Sequence, residues 1–356
     1  MDSLFVGREE SLAERLRRET RPIVVYGMGN GADKIFDLCV RIGVEISDIY
    51  ASDEFVRGHS FRGIRVKRYS EICSLYEDFV ILLAFAVFRD DLMERIDGMS
   101  REHTLLVPDV PLFGNAVFDF DFFEANRSSI EKAYSLLADD TSRSVFADIV
   151  NAKLTGSYEL LRRCETDRSE VFENILRLSQ NERYVDLGAY DGDTITEFLA
   201  QTGGLYSKIT AFEPDRKNRA KLEYKYSSLD GLKVCPYASW SENTTLHFSG
   251  NGGRMSCIDE DGYDVEARAV DSVVMSASYI KMDVEGAERE TLLGCKRLLE
   301  RCSPKLSVSA YHRAGDLFTL PLLIHELQPS YKIYLRHHKY VPAWETNLYC
   351  TASQTL

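Results

Sequence analysis

The chain has 356 residues, of which 44% are hydrophobic, and its formal net charge is −13. This length favours two domains, and the apolar content is sufficient for a core in each. The excess of acidic side chains argues against a surface that binds nucleic acid or an anionic membrane, and no apolar run reaches the roughly 18 residues that a membrane helix needs.

Two features indicate a cytoplasmic protein. The amino terminus, MDSLFVGREESLAERLRRET, is charged and lacks the apolar core of a signal peptide, so we interpret it as a surface helix. The chain has eight cysteines, and none forms a C-x-x-C pair. Because several of them lie within apolar strand or helix patterns, we expect reduced and mostly buried thiols.

Residues 1–112 are predicted to form an α/β domain. A short apolar strand at 23–26 is followed by a glycine-rich turn and a helix that extends to Ile42. A second strand, ISDIYASD, ends at Asp53, and the apolar runs FVILLAFA and HTLLVPDV supply two more strands with a helix between them. Strands that alternate with helices predict a parallel, Rossmann-like sheet.

The first glycine-rich turn, VVYGMGNGADK, matches the G-x-G-x-x-A pattern of dinucleotide-binding folds. Gly27 and Gly29 supply the glycines, and Asp53 ends the next strand. The domain lacks an evident hydride-transfer site and resembles the small Rossmann-like modules attached to sugar-modifying enzymes. Three interpretations stay open, in order of preference: a nucleotide or nucleotide-sugar site at Gly27, Gly29 and Asp53, a scaffold role, and NAD-dependent redox chemistry.

A helix-rich segment at 113–178, with few glycines and no strand pattern, is predicted to connect this domain to a second α/β domain at 179–356. Strands of the second domain are expected at 184–187, 208–212, 232–237, 279–283 and 305–311, with helices between most of them. The end of the chain, YKIYLRHHKYVPAWETNLYCT, indicates two antiparallel strands. A mostly parallel sheet closed by such a pair is typical of the methyltransferase version of the Rossmann fold.

The strand-to-helix turn VDLGAYDGDT is predicted to bind a cofactor. Gly188 lets the backbone turn close to a ligand, and Thr194 with Glu197 is expected to form a capping box on the next helix. Three carboxylates lie in the turn, those of Asp186, Asp191 and Asp193. Together they would repel a phosphate, but they suit a cationic ligand without phosphate. S-adenosylmethionine fits, through its ammonium and sulfonium groups.

An acidic residue follows the next strand, in ITAFEPD. Glu213 lies 25 residues after Gly188, where a carboxylate accepts hydrogen bonds from the two ribose hydroxyls of a cofactor. The third strand leads into CPYASW, where the small residue Ala238 is expected to border the adenine. The predicted cofactor-binding residues are Asp186, Gly188, Tyr190, Asp191, Gly192, Glu213, Asp215 and Ala238.

The fourth strand of this domain ends in charged residues, in YIKMDVEGAE. Acidic residues are common at helix N-termini, which accounts for Glu285 and Glu288 but less well for Asp283 and Lys281. Ligands bind at the carboxyl ends of strands in open α/β sheets. We therefore assign Lys281, Asp283 and Glu285 to the catalytic site.

The segments YVDLGAYDGDT, AFEPD, IKMDVEGAE and YHRAGDLFTLPLLIHEL, with the later YKIYLRHH and ETNLYC, resemble the FkbM-type family of S-adenosylmethionine-dependent methyltransferases. The resemblance covers about residues 180–356 and implies O-methylation of sugar or polyketide hydroxyls. It departs from the family at GNGGRMSCIDEDG (250–262), where the family has a hairpin. We expect an α/β protein with two Rossmann-like units and a helical connector. The second unit has the class I methyltransferase fold with a terminal antiparallel strand pair.

Polar rings follow the fifth and sixth strands. Tyr311 and His312 end the fifth strand, and His337 and His338 end the sixth. A neutral His312 can take the proton of a hydroxyl during methyl transfer, so we add it to the catalytic residues. Alternatively, Asp283 and His312 hold a divalent cation that lowers the pKa of a diol. The favoured assignment includes no metal.

The favoured interpretation is a two-domain enzyme that methylates a hydroxyl of a sugar-like small molecule with S-adenosylmethionine. A second interpretation is a binding protein, in which the first domain recognises a nucleotide sugar and the second binds the cofactor without turnover. A third is a dehydrogenase run by the first glycine-rich turn. The acceptor and the assembly state stay open, and a homodimer is one candidate for the latter.

Overall fold

The computed structural model describes residues 4–249, 257–258 and 263–352. The chain divides into two compact units. The first comprises Met1–Ser128, Ser144–Glu165 and His337–Glu345, and the second comprises Ser129–Arg143, Thr166–Arg336 and Thr346–Leu356. Each unit is therefore built from three separate stretches of the chain.

The first unit begins with α1 (Leu12–Arg18) and then alternates strands with helices. In chain order these are β1 (Ile23–Tyr26), α2 (Asn30–Ile42), β2 (Asp48–Tyr50), β3 (Ser60–Phe61), β4 (Ile64–Arg65), α3 (Tyr69–Leu75), β5 (Val80–Leu83), α4 (Asp90–Glu102) and β6 (Thr104–Leu106). Over the described residues the main sheet has the order β2-β1-β5-β6, and its pairs are parallel. This confirms the predicted parallel sheet.

The end of β2 differs from the prediction. The strand stops at Tyr50, and Asp53 instead begins a short 3-10 turn, Asp53–Phe55, where it is exposed. The reason is a change of partner, because Ala51 donates its N–H to the Lys67 carbonyl at 3.1 Å. The chain thus leaves the sheet three residues before the carboxylate that the sequence assigned to its end.

Helices fill the segment that the sequence assigns to a connector. They are α5 (Phe120–Leu136), α6 (Asp140–Thr155), α7 (Tyr158–Arg163) and α8 (Arg168–Glu170), which continues into a π-helical stretch at Val171–Leu176. The division between the units runs through this segment and assigns parts of it to each. The domain limits given above stay a prediction.

The second unit holds the larger sheet. In chain order its elements are β7 (Arg183–Leu187), α9 (Asp193–Gln201), β8 (Lys208–Phe212), α10 (Arg216–Lys225), β9 (Leu232–Cys235), β10 (Ala238–Trp240), β11 (Thr244–Ser249), β12 (Cys257–Ile258), β13 (Tyr263–Ala269), β14 (Tyr279–Met282), α11 (Glu288–Gly294), α12 (Lys296–Cys302), β15 (Lys305–Ser309), α13 (Asp316–Leu327), β16 (Tyr331–His337) and β17 (Thr346–Ala352). Within the described ranges, its seven strands have the order β16-β17-β15-β14-β7-β8-β9.

This order confirms the predicted fold class. The pairs from β15 to β9 are parallel, and β17 is antiparallel to β15. β7 lies between β8, which follows it, and β14, which comes much later in the chain. The strand order therefore reverses at β7, and ligands of such sheets bind beside the carboxyl ends of the strands at this switch point.

A separate small sheet interrupts the predicted third strand. β9 ends at Cys235, and Ala238 belongs to β10, which pairs with β13 in the sheet β10-β13-β11-β12 of the described residues. Pro236 explains the break, because proline has no N–H to donate to a strand ladder. Ala238 therefore follows the end of β9 by three residues, and its place beside an adenine stays a prediction. The glycine-rich stretch at 250–262 lies outside the described residues, except for Cys257 and Ile258.

Two further findings concern the whole described chain. Its helices include none that is both long and apolar enough to cross a membrane. Seven cysteines with described side chains are free thiols, and five of them are buried, namely Cys39, Cys164, Cys235, Cys295 and Cys350.

Candidate active site

The turn after β7 is shaped by its contact with β14. Gly188 has a φ of +81°, and a Cβ on it would lie 1.9 Å from the carbonyl oxygen of Asp283. The Asp283 N–H in turn donates to the Leu187 carbonyl at 3.0 Å. Gly188 is therefore required by packing between strand ends, and this packing brings the two acidic turns of the site together.

The start of α9 differs from the predicted capping box. Gly192, with a φ of +84°, is the N-cap, and a Cβ there would lie 2.4 Å from the Tyr226 ring. The Thr194 hydroxyl donates to Asp186 Oδ2 at 2.5 Å, and Glu197 pairs with Arg168 at 2.6 Å. The threonine therefore satisfies a buried carboxylate of β7 instead of capping the helix.

Asp186 is the most deeply buried carboxylate of the site, with no exposed surface. Its Oδ1 accepts no hydrogen bond from the described residues, and Lys281 Nζ lies 3.9 Å from that oxygen. Burial raises the pKa of Asp186, and the Lys281 charge opposes the rise only in part. An unsatisfied buried oxygen at a strand end is a position where a cationic ligand group would be stabilised.

Glu213 lies at the end of β8, as predicted, and is 6% exposed. Its two carboxylate oxygens accept the backbone N–H groups of Tyr190 and Asp215, each at 2.8 Å. Burial raises the pKa of Glu213 to about 7, although both hydrogen bonds lower it. The hydrogen bond from the Tyr190 N–H stabilises the turn after β7, in which Tyr190 has a φ of +49°.

Asp215 has a structural partner already. Its Oδ1 accepts from the N–H groups of Lys217 and Asn218, at 2.9 and 2.8 Å, so it is the N-cap of α10. Asp191 is half-buried in the turn between Tyr190 and Gly192. Ala238 is buried in the small sheet described above.

Sequence reasoning missed the role of Glu288. This residue is 1% exposed, and its Oε1 accepts the N–H groups of Val284 and Gly286 at 3.0 and 3.4 Å. It thereby supports a turn in which Glu285 and Gly286 both have positive φ, +54° and +89°. The glycine in the middle of EGAE is the sequence signal for this turn, but it does not reveal that the second glutamate is buried.

His312 lies among these acids and is 3% exposed. Nδ1 is 2.8 Å from Glu288 Oε1, and Nε2 is 3.4 Å from Asp283 Oδ1 and 3.6 Å from Glu285 Oε2. Burial would lower the pKa of His312, but the three carboxylates raise it to about 10. The ring is therefore cationic near neutral pH, which does not suit the general-base role that the sequence suggested.

Lys281 and Asp283 complete the set. Lys281 Nζ lies 3.7 Å from Asp283 Oδ2, and the Asp283 side chain is 29% exposed. Burial would raise the pKa of Asp283, but Lys281 and His312 hold it below its ordinary value. The structure thus brings Lys281, Asp283, Glu285 and His312 together. His337 ends the edge strand β16 and His338 follows it, and β17 separates this strand from β15.

Two glycines of the first glycine-rich turn, in the first unit, pack against neighbouring protein atoms. A Cβ on Gly31 would lie 2.2 Å from the Ala84 carbonyl oxygen, and one on Gly27, whose φ is +116°, would lie 2.7 Å from the Phe85 ring. Both glycines are accounted for by packing within the first unit. A nucleotide or nucleotide-sugar site at Gly27, Gly29 and Asp53 stays a prediction.

Residues 186–341 match the family model described as the methyltransferase FkbM domain. No curated protein matches the chain. Among solved structures, it is similar to methyltransferase FkbM from Methylobacillus flagellatus KT, with 23% identity and a TM-score of 0.73 over 98% of this chain and 95% of that one. At this identity the similarity shows the fold alone.

Two more distant solved structures align with about half of the chain. An rRNA methylase from Streptococcus thermophilus is 17% identical, with a TM-score of 0.35 over 50% of this chain and 90% of that one. Aeropyrum pernix fibrillarin, solved with natively bound S-adenosyl-L-methionine, is 10% identical, with a TM-score of 0.33 over 52% and 73%. At these scores neither match supports a conclusion about this chain.

Proposed function

We propose that the chain, whose residues 186–341 match the FkbM methyltransferase domain, transfers a methyl group from S-adenosylmethionine to a hydroxyl of a sugar or related metabolite. The observation that carries the proposal is the group of acidic side chains at the ends of β7, β8 and β14, the strands around the switch point. Such a group suits both a cationic methyl donor and a hydroxyl-bearing acceptor.

The residues around the turn after β7 fit this cofactor. Asp186 Oδ1 is buried and accepts no hydrogen bond from the described residues, so a cationic group there gains a partner. Glu213 uses one accepting position on each oxygen for backbone N–H groups, and each oxygen has a second position for a ribose hydroxyl. When bound, S-adenosylmethionine supplies an electrophilic methyl group on its sulfonium.

The acceptor is proposed to bind beside Asp283 and Glu285. Their side chains are 29% and 34% exposed, so both can reach a ligand in the crevice. A hydroxyl that is methylated must lose its proton, and a carboxylate within hydrogen-bond reach can orient it and accept that proton. Lys281 and His312 place positive charge beside Asp283 and favour its ionised form.

The test is formation of S-adenosylhomocysteine by the full chain with S-adenosylmethionine and a panel of sugars and nucleotide sugars. Asp283→Asn should lower kcat/KM by about 10²-fold while cofactor affinity and Tm are kept. Asp264→Asn, which changes an exposed carboxylate of the second unit, is the matched control and should have no effect. Near wild-type turnover by Asp283→Asn would contradict the placement of the acceptor, and turnover with amines alone would contradict O-methylation.

A further inference from the structure

His312 and the acids around it form a cluster with the composition of a metal site. Asp283, Glu288 and His312 each offer a ligand atom, and these atoms lie within 4.8 Å of one another. The imidazole is 3% exposed and Glu288 is 1% exposed, so the cluster is not a patch of solvated surface charges.

Glu288 fixes the orientation of the ring. Its Oε1 is 2.8 Å from His312 Nδ1, and the same oxygen accepts two backbone N–H groups of the turn after β14. A histidine that binds a metal through one nitrogen commonly donates its other N–H to a carboxylate in this way. The arrangement directs Nε2 toward Asp283 and Glu285.

The distances around Nε2 suit a shared cation. Asp283 Oδ1 is 3.4 Å and Glu285 Oε2 is 3.6 Å from this nitrogen. Two ligand atoms that bind one metal at about 2.1 Å are about 3.0 Å apart at the 90° angle of an octahedral site and about 3.4 Å apart at a tetrahedral angle. Each of the two carboxylate oxygens therefore lies at a distance from Nε2 that suits a shared metal.

The carboxylates of the cluster also outnumber the cationic side chains beside them. In the described residues Glu288 Oε2 and Asp186 Oδ1 are buried and accept no hydrogen bond. Four carboxylates, those of Asp186, Asp283, Glu285 and Glu288, lie close to the two cationic groups of Lys281 and His312. Buried carboxylates are stable when a cation pairs with them.

We propose that His312 Nε2, Asp283 and Glu285 bind one divalent metal cation of the class that accepts mixed nitrogen and oxygen ligands, such as Mn²⁺, while Glu288 orients the imidazole. The metal takes the place of the proton on Nε2, which is released to solvent. One consequence rests on the proposed function: a metal bound here polarises the hydroxyl of the methyl acceptor. Binding of the metal itself does not depend on methyl transfer.

The experiment is a titration of the metal-free full chain with Mn²⁺, followed by electron paramagnetic resonance and calorimetry, with no cofactor or acceptor present. We expect one saturable site. Asp283→Asn and Glu285→Gln should each weaken it by at least about tenfold, because each removes a ligand charge. The control is Asp264→Asn, which alters an exposed His–Asp pair of the same unit, His247 with Asp264 at 2.6 Å, and should leave the Mn²⁺ affinity unchanged.

The proposal is overturned if the wild-type chain shows no saturable Mn²⁺ site, or if Asp283→Asn and Glu285→Gln, folded by circular dichroism, bind Mn²⁺ as the wild type does. An equal loss in Asp264→Asn would also overturn it. If Mn²⁺ does not bind but turnover is intact, the metal site is ruled out and the proposed function is retained. If Mn²⁺ binds but no acceptor yields S-adenosylhomocysteine, the proposed function is ruled out and the metal site is retained.

Discussion

The two units repeat one backbone arrangement with different side chains around it. In the first unit, Gly31, in the first turn of α2, allows the start of this helix to pack against the Ala84 carbonyl at the end of β5. In the second, Gly188 allows the turn after β7 to pack against the Asp283 carbonyl at the end of β14. In both places a Cβ would overlap the backbone of the neighbouring strand, so only glycine fits.

The side chains next to these turns have little in common. In the first unit Tyr26 stacks on Tyr50 with ring centroids 4.4 Å apart, and Phe85 packs against Tyr26 at 4.7 Å. In the second, carboxylates lie at the ends of β7, β8 and β14, those of Asp186, Glu213 and Asp283. The comparison teaches that a glycine pattern reports how closely two strand ends approach, whereas the charges beside it indicate whether a ligand binds there.

The largest effect is expected from Gly188→Ala. It combines a positive φ with a Cβ at 1.9 Å from a carbonyl oxygen, so the free energy of unfolding should fall by roughly 3 kcal/mol or more. The control is Gly203→Ala, which has a φ of +63° but nothing within 4 Å of the added Cβ, and should cost about 1–2 kcal/mol. Urea denaturation measures both. Equal costs would show that the strand contact is unimportant.

A second test asks whether only the second unit's strand-end acid binds a cofactor. Glu213→Ala should lower the affinity for S-adenosylmethionine by at least about tenfold, since hydrogen bonds to a charged acceptor contribute about 1.5–3 kcal/mol each. Asp53→Ala in the first unit should leave the affinity unchanged. Calorimetry on both variants checks this, and an unchanged affinity in Glu213→Ala would remove the ribose assignment.

The pH dependence of cofactor binding follows from the same residue. The pKa of Glu213 is raised to about 7, so the free protein holds this carboxyl protonated at pH 6 and ionised at pH 8. If ribose hydroxyls donate to the ionised form, the affinity should rise about tenfold over this interval.

The raised pKa of Glu213 has the opposite effect on folding, because the free energy of unfolding falls as the pH rises. A glutamate whose pKa is raised on folding keeps its proton longer in the folded chain than in the unfolded chain. Its contribution to stability is therefore lost as the pH rises from about 4.3 through the folded pKa. In Glu213→Gln both pH-dependent changes should be absent, which also separates them from titration of the ligand's own amine. An unchanged pH profile in that variant would contradict the assignment.

The smallest effect is expected from Asp215→Ala. Loss of the N-cap of α10 should cost about 1 kcal/mol of stability and leave cofactor affinity within about twofold. The first unit supplies the comparison, because Asp53 begins a 3-10 turn outside the sheet and is exposed. Asp53→Ala should change stability by less than about 0.5 kcal/mol in thermal melting. A tenfold loss of affinity in Asp215→Ala would instead favour the predicted cofactor contact.

Much of the fold could be predicted because the strands that form the two sheets are short apolar runs buried on both faces. The position of Glu213 followed from its distance to Gly188 along a strand–helix–strand unit. The burial of Glu288 could not be predicted, because it depends on His312, which lies 24 residues further along the chain. The small sheet that takes Ala238 likewise depends on pairing with β13, remote in sequence.

One feature of the chain path concerns the order in which the protein is synthesised. The first unit includes His337–Glu345, where Val341 is fully buried and exchanges backbone hydrogen bonds with Val87 at 2.7 and 2.9 Å. A nascent chain on the ribosome lacks this segment until the strands β7 to β16 of the second unit have been made. The first unit therefore cannot reach its final form before most of the second unit has been synthesised.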